Sequence, residues 1–279
     1  IVLDHYRRHK RQLPWRPPAL KQRTDGMLDP YNILVSEVML QQTRGSRVAV
    51  YYPRFIKQFP TIAALARAPL RDVLETWQGL GYNRRALYLR QIARQVTSDK
   101  FNGQLPKTYE ELVKLPGVGP ATAAAIMAFA FNKPSIYLDT NVRSVFIHHF
   151  FPQKASQASR GNRGAMMHHS TRTRRKKVHD REIIPLIETT LDRKNPREWY
   201  YALLDYGAWL KTQVANPSRR SAHYTQQPEF EGSRRQLRGR VLKMLRTRPI
   251  ISDRAIGKAL GRPLREIQSI KRALAREGF

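Results

Sequence analysis

The 279-residue chain contains no cysteine, which excludes disulfides, Cys-ligated zinc and iron–sulfur clusters. Acidic residues are scarce. The 21 Asp and Glu stand against 51 Lys and Arg, giving a formal net charge of +30 and a pI near 11.1. A field of that sign and size attracts polyanions over distances comparable to the Debye length, and nucleic acid is the leading partner class. No apolar run approaches the roughly twenty residues a bilayer span needs, and no signal-peptide pattern opens the chain. A basic membrane-surface protein is the weaker reading, and no membrane partner is expected. Ile1 in place of Met points to a trimmed or incomplete N-terminus. Residues 152–179 lack acids altogether while carrying Lys154, Arg160, Arg163, Arg172, Arg174, Arg175, Lys176 and Lys177. Such a segment cannot supply a core and reads as a flexible basic insertion that contacts DNA through counterion release. His168, His169 and His179 share a segment that itself holds neither Cys nor acids, so they read as solvated-loop histidines and no metal site is expected.

The chain is organised around Leu115 to Asn141, LPGVGPATAAAIMAFAFNKPSIYLDTN. Gly117 and Gly119 bracket Val118, which allows positive φ and close backbone approach in a tight turn. Pro120 suits a first helical position, and the free N–H groups there form an anion site that fits a DNA phosphate. An apolar, Ala-rich helix follows. A strand-like SIYL run then leads to Asp139, with Thr140 and Asn141 directly after it. Asp139 is also a favoured residue for capping the helix that the TNVRSVF segment begins.

Upstream, a helix end runs into a turn at Pro14, and the PPALKQRTDGMLD segment reads as a surface loop. Ile33, Val35, Val38, Met39 and Val48 predict a helix between Tyr31 and Tyr51 carrying Glu37, Gln41 and Gln42. A carboxyl partly withdrawn from water among such residues keeps its proton more readily and is suited to act as an acid. Residues 53–76 and 84–98 also have helical periodicity, and Arg84, Arg85, Arg90 and Arg94 predict a basic face for phosphates.

Taken in order, LPWR at 13–16, Pro30-Tyr31, SEVMLQQT at 36–43, GLGY at 79–82, LPGVG at 115–119 and Asp139-Thr140-Asn141 resemble the helix-hairpin-helix DNA glycosylases, and most specifically the MutY-type mismatch adenine glycosylases. The resemblance covers about residues 1–211 and implies an all-α, two-lobed helix-hairpin-helix glycosylase fold. It implies that Glu37 protonates the departing base and that Asp139, oriented by Asn141, stabilises the sugar cation or traps it covalently. Arg11, Trp15, Arg16, Leu40, Ala121, Tyr201 and Leu204 fall at base-pocket positions. Gln41, Gln42, Thr43, Tyr82, Arg84, Gly117, Val118, Gly119, Thr122 and Arg143 fall at DNA-contact positions, with Gln42 filling the gap left by a flipped base.

Three departures narrow that reading. Bifunctional relatives carry a Schiff-base lysine where this chain has Ala121, so a monofunctional enzyme without strong strand cleavage is expected. Tyr201 stands where relatives place Glu or Gln, and a phenol cannot make the two-point contact an amide makes with adenine. The four-Cys iron–sulfur loop expected after GAWL is replaced by Lys211 and TQVANPSRRSAHY, so no cofactor is expected.

Residues 1–215 read as the glycosylase domain and 216–233 as an irregular packed loop or linker. Residues 234–279 read as a small winged-helix or helix-turn-helix module with 263–276 as its recognition helix. That module holds fourteen Lys or Arg against three acids, and the 8-oxoguanine-sensing C-terminal domain of the family has no counterpart in it. The reading that results is a monomeric base-excision repair glycosylase acting on duplex DNA with a mispaired or damaged base, adenine first. Its setting would be cytoplasmic and nucleoid-associated if bacterial. The alternatives are a thymine or uracil mismatch or modified-purine glycosylase, a non-catalytic damaged-DNA-binding protein, and, on charge alone, an RNA-binding protein.

Overall fold

The computed structural model describes residues 1–18, 23–99, 101–152, 177–248 and 250–279, so most of the basic insertion, with His168 and His169, lies outside the described residues. The described chain is helical, with a single isolated bridge between Val178 and Ser221. It divides into two compact units. Unit one is Ile1–Arg11 with Lys133–Thr225, and unit two is Gln12–Asn132 with Gln226–Phe279.

Unit two opens with α2 (Pro30–Leu40), after α1 (Val2–His9) has served unit one. Asp29 caps α2 by accepting from the Tyr31 N–H at 2.9 Å, and Pro30 takes the first helical position, where a missing N–H costs nothing. The single helix predicted from Tyr31 to Tyr51 is in fact two, because the chain turns at Gln41–Arg44 before α3 (Gly45–Gln58). Then come α4 (Ile62–Arg67), α5 (Leu70–Thr76), α6 (Arg84–Val96), the short α7 (Tyr109–Leu112) and α8 (Pro120–Phe129). Every side chain of α8 from Thr122 to Phe129 is buried, as a helix apolar on all sides must be. It packs on α2, and the Leu28 N–H reaches the Ala130 carbonyl at 3.1 Å. Helices α3 and α6 also pack on α2, and α7 packs on α8.

Unit one contains α1, α9 (Thr140–Phe150), α10 (Asp180–Thr190) and α11 (Pro196–Gln213). The SIYL run expected to be strand-like pairs with no strand among the described residues. Its backbone is held by the Tyr200 hydroxyl, which donates to the Ser135 carbonyl at 2.6 Å and accepts from the Tyr137 N–H at 2.9 Å. Helix α11 approaches the start of α9 closely at Gly207, where a Cβ would stand 2.5 Å from the Asn141 carbonyl oxygen. One turn further along the same helix face comes Lys211.

The segment directly after α11 is held by local polar contacts. The Asn216 Oδ1 accepts from the Ser218 N–H at 3.0 Å and the Ser218 hydroxyl at 2.8 Å. Val178 bonds to Arg220 and Ala222 on either side of Ser221 at 2.9 and 2.8 Å. Residues 234–279 form α12 (Arg234–Thr247), α13 (Asp253–Leu260) and α14 (Leu264–Arg276) around Leu237, Val241, Ile256, Ile267, Ile270 and Leu274. Gly261 adopts the left-handed conformation that ends α13 and lets α14 begin, a helix-turn-helix arrangement without a wing strand among the described residues. These residues cluster within unit two instead of standing apart from it.

Candidate functional site

Two turns of unit two share one internal anchor. Leu40 to Thr43 form a tight turn closed by the Thr43 N–H on the Leu40 carbonyl at 3.1 Å, and Gln42 sits in it at φ +54°. That is the third position of a type II turn, which favours glycine. Gly79 to Tyr82 form the second, with Gly81 at φ +72° and Tyr82 at φ +47°. A side chain at positive φ costs about 1–2 kcal/mol, so the fold has to hold both residues there.

Arg85 does this. It is 6% exposed and lies on the apolar face of α6, at the head of Leu89, Ile92 and Val96. Its Nη1 donates to the Val38, Met39 and Gln41 carbonyls at 2.9, 2.8 and 2.6 Å, satisfying the end of α2. Its Nη2 donates to the Thr43 hydroxyl and the Gly81 carbonyl, both at 3.0 Å. The guanidinium also lies over Trp77 and Tyr82, with centroids 5.3 and 5.5 Å away. Burial pulls its pKa down to about 10, and it still carries its charge at neutral pH. Of the predicted phosphate-binding face on α6, Arg85 is therefore internal. Arg90 is half-buried and donates to the Ala68 carbonyl at 2.7 Å, whereas Arg84, beside the Tyr88 ring, and Arg94, which donates to the Ala66 carbonyl at 3.3 Å, stay exposed.

The hairpin before α8 divides its residues between structure and surface. Gly117 has φ +73°, and a Cβ there would meet the Tyr88 ring at 2.3 Å. Gly119 is exposed at φ −86° with open space where a Cβ would go, so a ligand can approach that backbone. Val118 turns its side chain into the core, leaving only its backbone for a phosphate. Thr122 and Gln41, both expected at DNA, face each other instead. The Gln41 Nε2 donates to the Thr122 Oγ1 at 3.1 Å and to the Gly117 carbonyl at 3.2 Å, tying the end of α2 to the hairpin. Of the two glutamines, only Gln42 projects outward.

Glu37 sits half-buried on α2 between the buried Ser36 and Val38. In unit one, Asp139 caps α9. Its Oδ1 accepts from the Asn141 and Val142 N–H groups at 2.7 and 2.8 Å, and its Oδ2 accepts from the Asn141 side-chain amide at 2.9 Å. The capping and catalytic readings of this carboxylate are thus compatible. Lys211 completes the group by donating to the Asn141 Oδ1 at 2.9 Å and the Thr140 Oγ1 at 3.3 Å, which turns the Asn141 NH₂ toward Asp139. Burial lowers the Lys211 pKa, while Asp139 raises it and Arg11 lowers it further. The residue type carries no motif signal. Only its position one turn past Gly207 brings it here.

Arg143, expected at DNA, is committed elsewhere. It grips Asp180 with two bonds of 2.8 and 2.7 Å and holds that carboxyl below the ordinary range. Of the pocket positions, Arg11 and Leu204 meet in unit one, where the Arg11 Nη2 donates to the Leu204 carbonyl at 3.3 Å. Both gather around Asp205, which accepts from the Arg11 backbone and Nε at 2.9 and 2.7 Å. Asp205 was visible in the sequence as a lone acid within the apolar WYYALLDYGAWL run. Tyr201, also in unit one, is buried. In unit two Trp15 and Arg16 are buried, Trp15 edge-on to Tyr52, Leu40 is half-buried and Ala121 is exposed at the start of α8. No group of three His, Cys, Asp or Glu among the described residues could hold a metal ion, and no described helix is long and apolar enough to cross a membrane.

A hairpin that presents bare backbone before a helix N-terminus, together with the capped aspartate of α9, has the form of a helix-hairpin-helix repair protein. A family model described as the HhH-GPD superfamily base excision DNA repair protein matches residues 35–164. The adenine DNA glycosylase of Mycobacterium tuberculosis (strain CDC 1551 / Oshkosh) is 36% identical over 253 residues, covering 88% of this chain and 77% of that one. That of Buchnera aphidicola subsp. Baizongia pistaciae is 41% identical over 150 residues, covering 53% of this chain and 40% of that one. Among solved structures, a thermostable thymine-DNA glycosylase superposes with a TM-score of 0.57 at 24% identity, over 74% of this chain and 82% of that chain. A trapped endonuclease III–DNA covalent intermediate superposes with a TM-score of 0.51 at 21% identity, over 68% and 76%. These two show the shared fold. Within the superfamily, the chain belongs to the adenine DNA glycosylase family.

Arg85→Ala removes the donor that satisfies several buried carbonyls at once, at an expected cost of about 3–5 kcal/mol. At roughly 2–4 °C per kcal/mol, thermal denaturation should show a midpoint about 10 °C lower. An unchanged midpoint would contradict the anchoring role. At Gln42 the opposite balance holds. Gln42→Gly relieves the positive φ, so its melting temperature should equal or exceed that of the parent, while affinity for lesion-bearing duplex falls.

Proposed function

We propose that the chain is a monofunctional DNA glycosylase that flips adenine out of a mispaired duplex and hydrolyses its N-glycosidic bond. The observation that carries this reading is the Asp139 carboxylate, fixed by three hydrogen bonds and buttressed through Asn141 by Lys211, in a chain of the adenine DNA glycosylase family. A carboxylate with so little freedom is preorganised to face a developing positive charge without reorganising during the reaction.

The chemistry divides between two acids. As the bond from the sugar C1′ to the base nitrogen breaks, its electron pair leaves with the base, which takes a proton from the Glu37 carboxyl. Asp139 stabilises the cationic sugar or bonds to C1′ transiently. Water then adds at C1′ and gives its proton to the Glu37 carboxylate, leaving an abasic site. These steps use only side chains and water. Ala121 offers no amine for a Schiff base at the hairpin position, which supports the monofunctional assignment. Gln42, projecting from its strained turn, is suited to fill the space the base vacates. The enzyme acts as a monomer on duplex DNA, in a cytoplasmic setting that is nucleoid-associated if the source is bacterial.

Single-turnover assays on duplexes carrying A, T, U or hypoxanthine opposite each base, followed by alkali, test the proposal. Adenine-containing strands should break first. Glu37→Gln and Asp139→Asn should each slow base release by at least about a thousandfold. Asn also caps helices well, so Asp139→Asn should keep its melting temperature within a few degrees. Both variants retaining full rate, or T and U strands being cut in preference to A, would overturn the assignment.

Lys211 gives a separate test, because it acts through Asn141. Lys211→Met should lower the rate of base release roughly tenfold with little change in duplex affinity. The lysine's lowered pKa makes its ammonium form, and the support it gives, disappear as pH rises at a lower pH than for a free lysine. Lys211→Arg should therefore move the alkaline limb of the rate profile upward. A profile that does not respond to either substitution would remove Lys211 from the mechanism.

A further inference from the structure

Unit two holds a cleft of ≈1500 Å³ whose lining is far more basic than catalysis on a single base requires. Ten of its lining residues are Arg or Lys and one, Glu277, is acidic, and that carboxylate is already paired with Arg238 at 2.8 Å. Six of the ten cations come from α12. None of the basic residues of α14, the helix that the sequence suggests for recognition, lines the cleft, and Lys271 of α14 is tied to Asp253 at 2.5 Å.

We propose that α12, and not α14, is the DNA-facing element of residues 234–279, and that its basic stripe grips phosphates of the duplex flanking the flipped base. The proposal rests on the glycosylase reading and adds to it a second backbone contact that no motif assigns.

The packing of α12 supports this orientation. Leu237 and Val241 are buried in the core of the three-helix module, which fixes the rotation of the helix. Arg235, Gly239, Leu242 and Arg246 repeat at helical spacing along the cleft-lining side. Arg240 and Lys243 are exposed along the cleft.

The helix is also docked beside the turns that probe DNA. The Arg235 Nη1 donates to the Tyr82 hydroxyl at 2.6 Å, and its guanidinium lies 5.2 Å from the Tyr82 ring centroid. Gln227 donates to the same hydroxyl. At the other end Arg246 donates to the Gln78 side chain at 2.7 Å and pairs with Glu75 at 3.4 Å. Arg44, Arg47 and Arg84, all exposed, line the cleft from the Gln42 and Tyr82 turns. Duplex DNA is too wide to enter such a cleft, but the phosphates of one strand carry a charge row that its rims match. Contacts of this kind give affinity and register without reading sequence.

The test uses the full chain and duplexes carrying a stable abasic-site analogue, with binding followed by fluorescence anisotropy at several salt concentrations. Arg240→Glu with Lys243→Glu should weaken binding at least about tenfold, on every flanking sequence alike, and reduce the salt slope by about two. Arg265→Glu with Arg272→Glu, on exposed positions of α14, should stay within twofold of the parent. Circular dichroism melts establish that both double variants are folded. Loss confined to the α14 pair, loss that depends on flanking sequence, or no loss in the α12 pair would overturn the proposal. So would equal competition by single-stranded RNA of the same length. A parent chain that binds no duplex at all would overturn the glycosylase reading together with it, an outcome distinct from the others.

Discussion

The Arg85 guanidinium, taken out of water and spent on backbone oxygens, is the interaction on which unit two depends. A buried cation without a carboxylate partner is costly unless every donor finds an acceptor, and here carbonyls from α2, the Leu40–Thr43 turn and the Gly79–Tyr82 turn converge on one side chain. The same guanidinium that closes the end of α2 through Nη1 also holds the turns that carry Gln42 and Tyr82 at positive φ. Because both strained residues hang from one planar group, the two turns are positioned together. A lysine has one point charge and could not span these acceptors, so the geometry requires the forked donor set of arginine.

Unit one applies the same logic to an acid. Asp139 begins α9, so the helix end that needs an acceptor is also what immobilises the carboxylate. Asn141 and Lys211 extend the arrangement outward, and the close approach of α11 at Gly207 puts Lys211 within reach. Where relatives are expected to carry cysteine ligands after GAWL, this chain has a hydrogen-bonded loop built on Asn216, Ser218 and the Val178 bridge. Local polar contacts there do the work of shaping the loop after α11.

The basic surplus of the chain is distributed by packing. Arg85, Arg90 and Arg143 are drawn wholly or partly into the fold, where they bind carbonyls or Asp180, while Arg94 stays exposed. In unit two one cleft gathers six cations of α12 with Arg44, Arg47 and Arg84 beside the Gln42 and Tyr82 turns, while Arg254, Lys258 and Arg265 are exposed outside it. Net charge thus indicates a polyanion, while the fold decides which cations meet it.

How much of this was legible beforehand depends on the range of the interaction. Pro120 at the start of α8, the tight turn at Gly117 and the Asp139 cap follow from local rules of capping and glycine conformation and could be read from the order of residues, while the all-helical class is what the resemblance of the ordered motifs implies. The break at Gln41, the inward turn of Gln41 toward Thr122, the internal placement of Arg85 and Arg143, and the contribution of Lys211 could not. Each is settled by a partner tens of residues away, and an arginine on a helix looks the same in sequence whether it will meet a phosphate or a buried carbonyl. The chain by itself determined the elements and the chemical types at the site. The tertiary structure decided which polar groups are consumed inside and which remain for a ligand, because that choice is made by desolvation and by long-range acceptors.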